Sequence, residues 1–321
     1  TSGMIAPVTG HLLSIDDLEK SEIVSLLDRS DFYLKSFREG TKKFDRLRGK
    51  TIVNLFLEPS TRTRLSFELA GKRLGADVAN FSAGNSSVEK GESVADTVRT
   101  VLSMQTDVLV VRQRQAGLEA YTDPTYARQV HGQEALPYSV VNAGDGMHGH
   151  PTQALLDLAT IRRVIGRMDG LRVAIIGDAL HSRVARSLIC ALKHCSNDVV
   201  LVGPETIVTD RFVRSMGVQR SSRLGTAIEG ADVVYVLRVQ RERFGNKSYL
   251  PSVREYATSY GINQKMLKLA KKDAMVMHPG PVNWGIELSS ELLGHPQVHV
   301  QDQVSQGVAL RMAVLERAVQ S

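Results

Sequence analysis

The stretch TIVNLFLEPSTRTRLSFELAGKRLG, Thr51 to Gly75, passes from an apolar, β-branched run through a polar turn into a segment with apolar Leu65, Phe67, Leu69 and Leu74. The first part reads as a buried strand and the last as a helix, so the stretch is a strand–loop–helix unit. The unit recurs. Apolar runs stand at KTIVNLFL (Lys50–Leu57), DVLVVR (Asp107–Arg112), YSVVNAG (Tyr138–Gly144), RVAIIGD (Arg172–Asp178), DVVLVGP (Asp198–Pro204), ADVVYVLR (Ala231–Arg238) and DAMVMHP (Asp273–Pro279). Helix-patterned segments such as Glu92–Met104, Pro151–Val164 and Ser182–His194 separate them. This alternation predicts an α/β fold of parallel sheets with helices on both faces.

Strand-rich regions lie on both sides of HPTQALLDLATIRRVIG (His150–Gly166), a helix of about four turns. That predicts two domains, each a parallel sheet flanked by helices, joined by a shared helix. We set them at 4–149 plus 303–321 and at 150–302. The closing VSQGVALRMAVLERAV (Val304–Val319) is amphipathic at helical spacing and is expected to pack back on the first domain.

With 321 residues the chain is long enough for two cores, and neither a disulfide-stapled nor a disordered reading suits it. The two cysteines, Cys190 and Cys195, are five apart in a helical segment, a spacing for neither a metal site nor a bridge, and fit a reducing cytoplasm. No apolar run approaches a membrane span and no leader pattern opens the chain; Thr-Ser-Gly before Met4 reads as a tag remnant. The net charge of +6 would suit a nucleic-acid partner, but the basic residues are scattered and aromatics are only 5%. A bland basic surface, or anionic small substrates, accounts for it equally well.

Ligands of open α/β sheets bind beyond the carboxyl ends of the strands. Here those exits read EPSTRTR, RQR, AGDGMHGHPTQ, GDALHSR, RVQ and HPGP, four of the six with arginine. Ser60 is placed to cap a helix whose first turn offers free N–H groups and a favourable dipole to an anion. Thr61 and Thr63 add hydroxyls and Arg62 a bidentate fork, a set suited to phosphate. His150 and Gln153, three apart at the mouth of a helix, present side chains on one face. Each residue alone has a plainer reading: a capped surface helix, a structural histidine, solvated arginines at strand ends, a turn at Gly280-Pro281. VAIIGD lacks the glycine spacing of a dinucleotide site.

Taken together, FLEPSTRTRLSFE, EKGESVADTVR, NAGDGMHGHPTQALLDL, GDALHSRVARS, LRVQRER and MHPGPVN, in that order from Phe56 to Asn283, resemble the aspartate branch of the aspartate/ornithine carbamoyltransferase family. Ornithine enzymes carry a cysteine-containing H-C-L-P where this chain has His278-Pro279-Gly280-Pro281, and the lysine of EKGES is typical of the aspartate enzymes.

The resemblance implies transfer of the carbamoyl group of carbamoyl phosphate to the α-amine of L-aspartate, a step of pyrimidine (UMP) biosynthesis, in a cytoplasmic homotrimer. It needs no cofactor, metal or covalent nucleophile. It implies phosphate on Ser60, Thr61, Arg62 and Thr63, with Arg112 bridging phosphate and carbonyl. His150 and Thr63 would polarise the carbamoyl oxygen, while Gln153 and the carbonyls of Gly280 and Pro281 would hold the carbamoyl nitrogen. Arg183 and Arg238, with Gln240, would clamp the aspartate carboxylates, and Ser86 and Lys90 would come from the neighbouring subunit. Closure of the two halves would bring amine to carbonyl. Regulatory or dihydroorotase chains are further possible partners; nucleic acid and membrane are not.

Three positions depart from the family pattern: Leu57, Gln113-Arg114 in place of His-Pro, and Trp284 in place of arginine, which puts local contacts near the domain junction in question. The alternatives are an ornithine-type enzyme, against which Arg183 and Arg238 argue by charge, and an idle paralogue serving as an assembly subunit, against which the intact polar set argues.

Overall fold

The computed structural model of the chain describes residues 10–82, 94–123, 125, 128, 136–240 and 252–320. The chain divides into two compact units, Thr1–Leu156 with Ser305–Ser321, and Asp157–Val304. The first unit holds a four-stranded sheet of β1 (Thr51–Phe56), β2 (Asp77–Ser82), β3 (Val108–Gln113) and β4 (Ser139–Asp145) in the order β2-β1-β3-β4. Every pairing is parallel, with Ile52 level with Val108 and Phe56 level with Arg112. The second unit holds β5 (Arg172–Ile176), β6 (Asp198–Val202), β7 (Gln219–Ser221), β8 (Val233–Val236) and β9 (Met275–Met277) in the order β7-β6-β5-β8-β9, again all parallel.

All seven apolar runs form strands. The two strands that no run announced, β2 and β7, are sheet edges with half-exposed side chains, so burial on two faces never selected apolar residues there.

The helices among the described residues are α1 (Lys20–Arg38), α2 (Thr61–Arg73), α3 (Val94–Ser103), α4 (Pro151–Ile165), α5 (Arg183–His194), α6 (Asp210–Met216), α7 (Leu224–Ile228), α8 (Val253–Tyr260), α9 (Gln264–Leu267) and α10 (Val300–Val319). Their starts follow local chemistry. The Ser182 hydroxyl accepts from the Ala185 N–H at the head of α5, and Thr209 accepts from Phe212 at the head of α6. The division between the two units falls inside α4 and again inside α10.

In the first unit Val53, Leu55, Leu109, Val111 and Val140 pack on Val98, Val101 and Leu102 of α3. In the second, Ile176, Val202, Val234 and Val276 pack on Leu224, Ala227 and Ile228 of α7. The closing helix α10 packs on the first unit, as the sequence implied. Arg311 donates to the Ser66 hydroxyl on α2 at 2.9 Å, and Gln306 donates to Ser30 on α1 at 2.7 Å. Glu316, 5% exposed, accepts from Arg29 and from the Tyr33 hydroxyl on α1. Cys190 is half-buried and Cys195 buried, and among the described residues no helix is long and apolar enough to cross a membrane.

Candidate active site

In the sheet of the first unit β1 lies between β2 and β3, so the connections leaving β1 and β3 diverge and open a crevice beyond their carboxyl ends. The sequence places its phosphate set there. Ser60 occupies the N-cap position of α2 with extended φ and ψ of −160° and 93°, but its hydroxyl makes no capping bond. The first-turn N–H groups of Thr61, Arg62 and Thr63 are therefore not taken up by the cap, as an anion site requires. Thr61 and Arg62 are exposed, and Ser60 and Thr63 half-buried.

Arg112 stands one strand over, level with Phe56 at the end of β1. Its Nε lies 2.8 Å from Glu58 on the β1 exit, and its Nη1 donates to the Ala143 carbonyl on β4 at 3.0 Å. One guanidinium thus reaches three strand ends.

His150 and Gln153 open α4, both buried, and the His150 carbonyl accepts the Gln153 N–H at 3.1 Å. The loop before them is held by Asp145, 1% exposed, whose carboxylate collects N–H groups from Gly117, Asn142 and Gly149. Gln113, one of the residues that depart from the pattern of the resembled family, holds the turn that follows it. Its side-chain amide donates to the Gln115 and Gly117 carbonyls and accepts from the Tyr121 hydroxyl.

In the sheet of the second unit the order reverses at β5 and β8, and the exits of these two strands carry Arg183 and Arg238. Arg183 is the first residue of α5, after a turn in which Asp178 accepts the His181 backbone N–H at 3.1 Å and lies 3.0 Å from its Nδ1. Arg238 is half-buried at the end of β8 and is followed by Val239, whose N–H donates to Glu287 at 2.6 Å, and by half-buried Gln240. Glu287 is fully buried and also accepts from the Asn283 N–H and side-chain amide, both at 2.6 Å, tying the β8 exit to the HPGPVN segment.

Gly280 and Pro281 follow β9, where the Gly280 N–H donates to His278 Nδ1 at 2.9 Å. His278 is itself anchored through Gln303, which joins Asp157 and the Tyr235 hydroxyl in one buried network. Burial, and then the charges of Glu287 and Asp178, push the Tyr256 phenol up. Trp284 is about one-third exposed (36%) on the segment that Glu287 holds. Ser86 and Lys90 lie outside the described residues.

One exit carries hydroxyls, helix N–H groups and arginine, donors suited to a phosphoryl group, and the other carries two arginines, donors suited to carboxylates. Glu58, Asp145, Asn283 and Glu287 were not picked out from the sequence. Glu58 and Asp145 stood in exits already recognised as polar, where a carboxylate next to an anion site signals a support for cations and N–H groups. Glu287, nine residues after His278, carries no such signal.

Two sequence models of the aspartate/ornithine carbamoyltransferase family match the chain, the carbamoyl-P binding domain over residues 10–163 and the Asp/Orn binding domain over residues 169–318. The aspartate carbamoyltransferase catalytic subunit of Agrobacterium fabrum is 51% identical over 306 residues, covering 95% of this chain and 94% of that protein. Its namesake from Natranaerobius thermophilus is 50% identical over 304 residues, with the same 95% and 94% coverage. Among solved structures, aspartate transcarbamoylase from Trypanosoma cruzi in complex with carbamoyl phosphate and aspartate superposes with a TM-score of 0.81 at 31% identity, covering 98% of this chain and 100% of that one. The same enzyme with N-(phosphonacetyl)-L-aspartic acid gives 0.82 at 32% identity, with 97% and 96% covered.

Proposed function

This chain belongs to the aspartate/ornithine carbamoyltransferase family, and from that premise we propose that it transfers the carbamoyl group of carbamoyl phosphate to the α-amine of L-aspartate, giving N-carbamoyl-L-aspartate and phosphate for pyrimidine synthesis. The observation that carries the reading is the pairing of each anion-binding set with the switch point of its own sheet: Ser60–Thr63 with Arg112 at β1 and β3, and Arg183 with Arg238 at β5 and β8.

Carbamoyl phosphate binds the first unit with its phosphate on Ser60, Thr61, Arg62, Thr63 and Arg112. His150 and Thr63 donate to the carbamoyl oxygen, and Gln153 with the Gly280 and Pro281 carbonyls fixes the nitrogen. Aspartate binds through its two carboxylates to Arg183 and Arg238, with Gln240 beside them, and its neutral amine attacks the carbamoyl carbon. A C–N bond forms, negative charge gathers on the carbamoyl oxygen where the donors wait, and the C–O bond to phosphate then breaks. The departing phosphate, whose negative charge rises as the C–O bond breaks, takes up the proton the nitrogen sheds. Two arginines against the second substrate favour a dicarboxylate over the cationic side chain of ornithine.

The chain acts as a catalytic subunit in a cytoplasmic homotrimer, with Ser86 and Lys90 completing the site of the neighbouring copy and with regulatory or dihydroorotase chains as candidate partners. The names of the relatives, catalytic subunits, support the presence of partner subunits. The test is product formation from carbamoyl phosphate with aspartate or, in parallel, ornithine. Product from aspartate alone, falling about 10²- to 10³-fold in Arg62→Ala and in His150→Ala, is expected. Product from ornithine would reassign the second unit, and none from either amine would leave the chain an assembly subunit.

A further inference from the structure

We propose that Asp145 is the positioning residue for His150, holding the imidazole against the substrate oxygen by clamping together the exits of β3 and β4; this rests on the reading of His150 as the group that polarises the carbamoyl oxygen. A carboxylate that is 1% exposed must satisfy its oxygens internally or lose its charge. Asp145 does so with donors from two loops. From the β3 exit, which begins at Arg112, the Gly117 N–H donates to Oδ2 at 2.9 Å. From the β4 side, the Asn142 amide donates to Oδ1 at 2.8 Å and the Gly149 N–H at 3.1 Å, while His148 Nδ1 lies 3.2 Å from Oδ2.

The backbone adds a second tie around the same residue, since the Asp145 N–H donates to the Gly149 carbonyl at 3.1 Å. Gly149 is thus gripped on both its N–H and its C=O, and His150 is the next residue. The two loops are pressed together: the Gly146 N–H donates to the Gln113 carbonyl at 3.0 Å. A Cβ on Gly146, whose φ is +49°, would lie 2.9 Å from the Ala116 nitrogen. The acid of the NAGDG segment therefore touches no substrate in this scheme. It sets where His150 starts, and it joins that start to the loop that follows Arg112.

Asparagine at this position keeps the size but turns one oxygen into a donor, which must face N–H groups already aimed at it. The test compares Asp145→Asn, Gly146→Ala, His150→Ala and the Asp145→Asn/His150→Ala double variant in the full chain. Initial rates are measured together with proton–carbon spectra of chain carrying ¹³C-labelled histidine; the His150 signal is assigned by its disappearance in His150→Ala. We expect Asp145→Asn to lower kcat roughly 10- to 100-fold with both KM values within about twofold. The double variant should be no slower than His150→Ala alone, because the clamp acts through that side chain. The His150 signal, recorded without substrate, should shift in Asp145→Asn and in Gly146→Ala while those of His295 and His299 stay in place.

An unmoved His150 signal in both variants overturns the proposal, as does a kcat within twofold of the parent or losses that multiply in the double variant. If Asp145→Asn does not fold, Gly146→Ala decides through the same spectrum, since it disturbs the loop contact with the carboxylate intact. A parent chain that makes no carbamoyl aspartate would sink the reaction assigned above, and the His150 signal would still decide whether the clamp exists.

Discussion

At the scale of single residues, the candidate anion-binding groups were legible and their supports were not. Ser60, Thr61, Arg62 and Thr63 announce an anion site because hydroxyls, a guanidinium and a helix start fall within four positions. Glu58, two residues upstream, carries the wrong charge for that site and makes sense only once its carboxylate is seen 2.8 Å from the Arg112 Nε. The pair is largely shielded, with side chains 13% and 14% exposed, so Arg112 loses its orientation when the acid is removed. The same removal lifts a negative charge from beside the proposed phosphate site. Affinity and turnover should therefore separate in Glu58→Gln: the KM for carbamoyl phosphate no higher than in the parent, and kcat down about tenfold because a misplaced guanidinium no longer meets the developing charge. Steady-state kinetics with each substrate varied decides it, and a raised KM at unchanged kcat would make Glu58 a mere structural anion. Arg183 and Arg238 were readable as strand-exit arginines, whereas Glu287 was hidden because the Val239 N–H it accepts lies 48 residues away in sequence.

At the scale of elements, what burial on both faces selects can be read from sequence and what it does not select cannot. The buried strands, edge strands β4 and β9 among them, declared themselves through apolar runs, while the more exposed edge strands β2 and β7 became visible only through their pairing with β1 and β6. Ser60 shows a similar limit, since it stands at the cap position without capping. The closing helix α10 was legible by its period, but its anchor was not. Glu316 is held on α1 by Arg29 and Tyr33, and although burial works to raise its carboxyl, those hydrogen bonds outweigh it and hold the group below its ordinary value of 4.5. An acid depressed in the folded state stabilises above its unfolded value, and that contribution is lost as pH falls through the folded one. The melting temperature should therefore drop as pH falls below 4.5, and the drop should be shallower in Glu316→Gln. At neutral pH the substitution costs about 2 kcal/mol, less than for a fully buried pair because Arg29 is one-third exposed, or about 5 °C. Parallel acid limbs for parent and variant would rule this anchor out.

At the scale of the whole molecule, the proposed trimer makes a prediction that one chain cannot mimic. If each site takes His150 from its own chain and Lys90 from a neighbour, Lys90→Ala spoils the neighbour's site and His150→Ala spoils its own. Either variant alone then has every site defective. In trimers assembled at random from equal amounts of the two, a site works when its own chain keeps His150 and the contributing neighbour keeps Lys90, each with even odds. About a quarter of the sites regain both groups, in any ring where each chain donates in one direction only. Co-expression of the two variants should therefore return about a quarter of parental activity per chain, far above the 10²-fold or greater losses expected of each alone. A site built within a single chain gives a different result: the mixed population would stay at the average of the two inactive variants, because no reshuffling of subunits could bring an intact His150 and an intact Lys90 together.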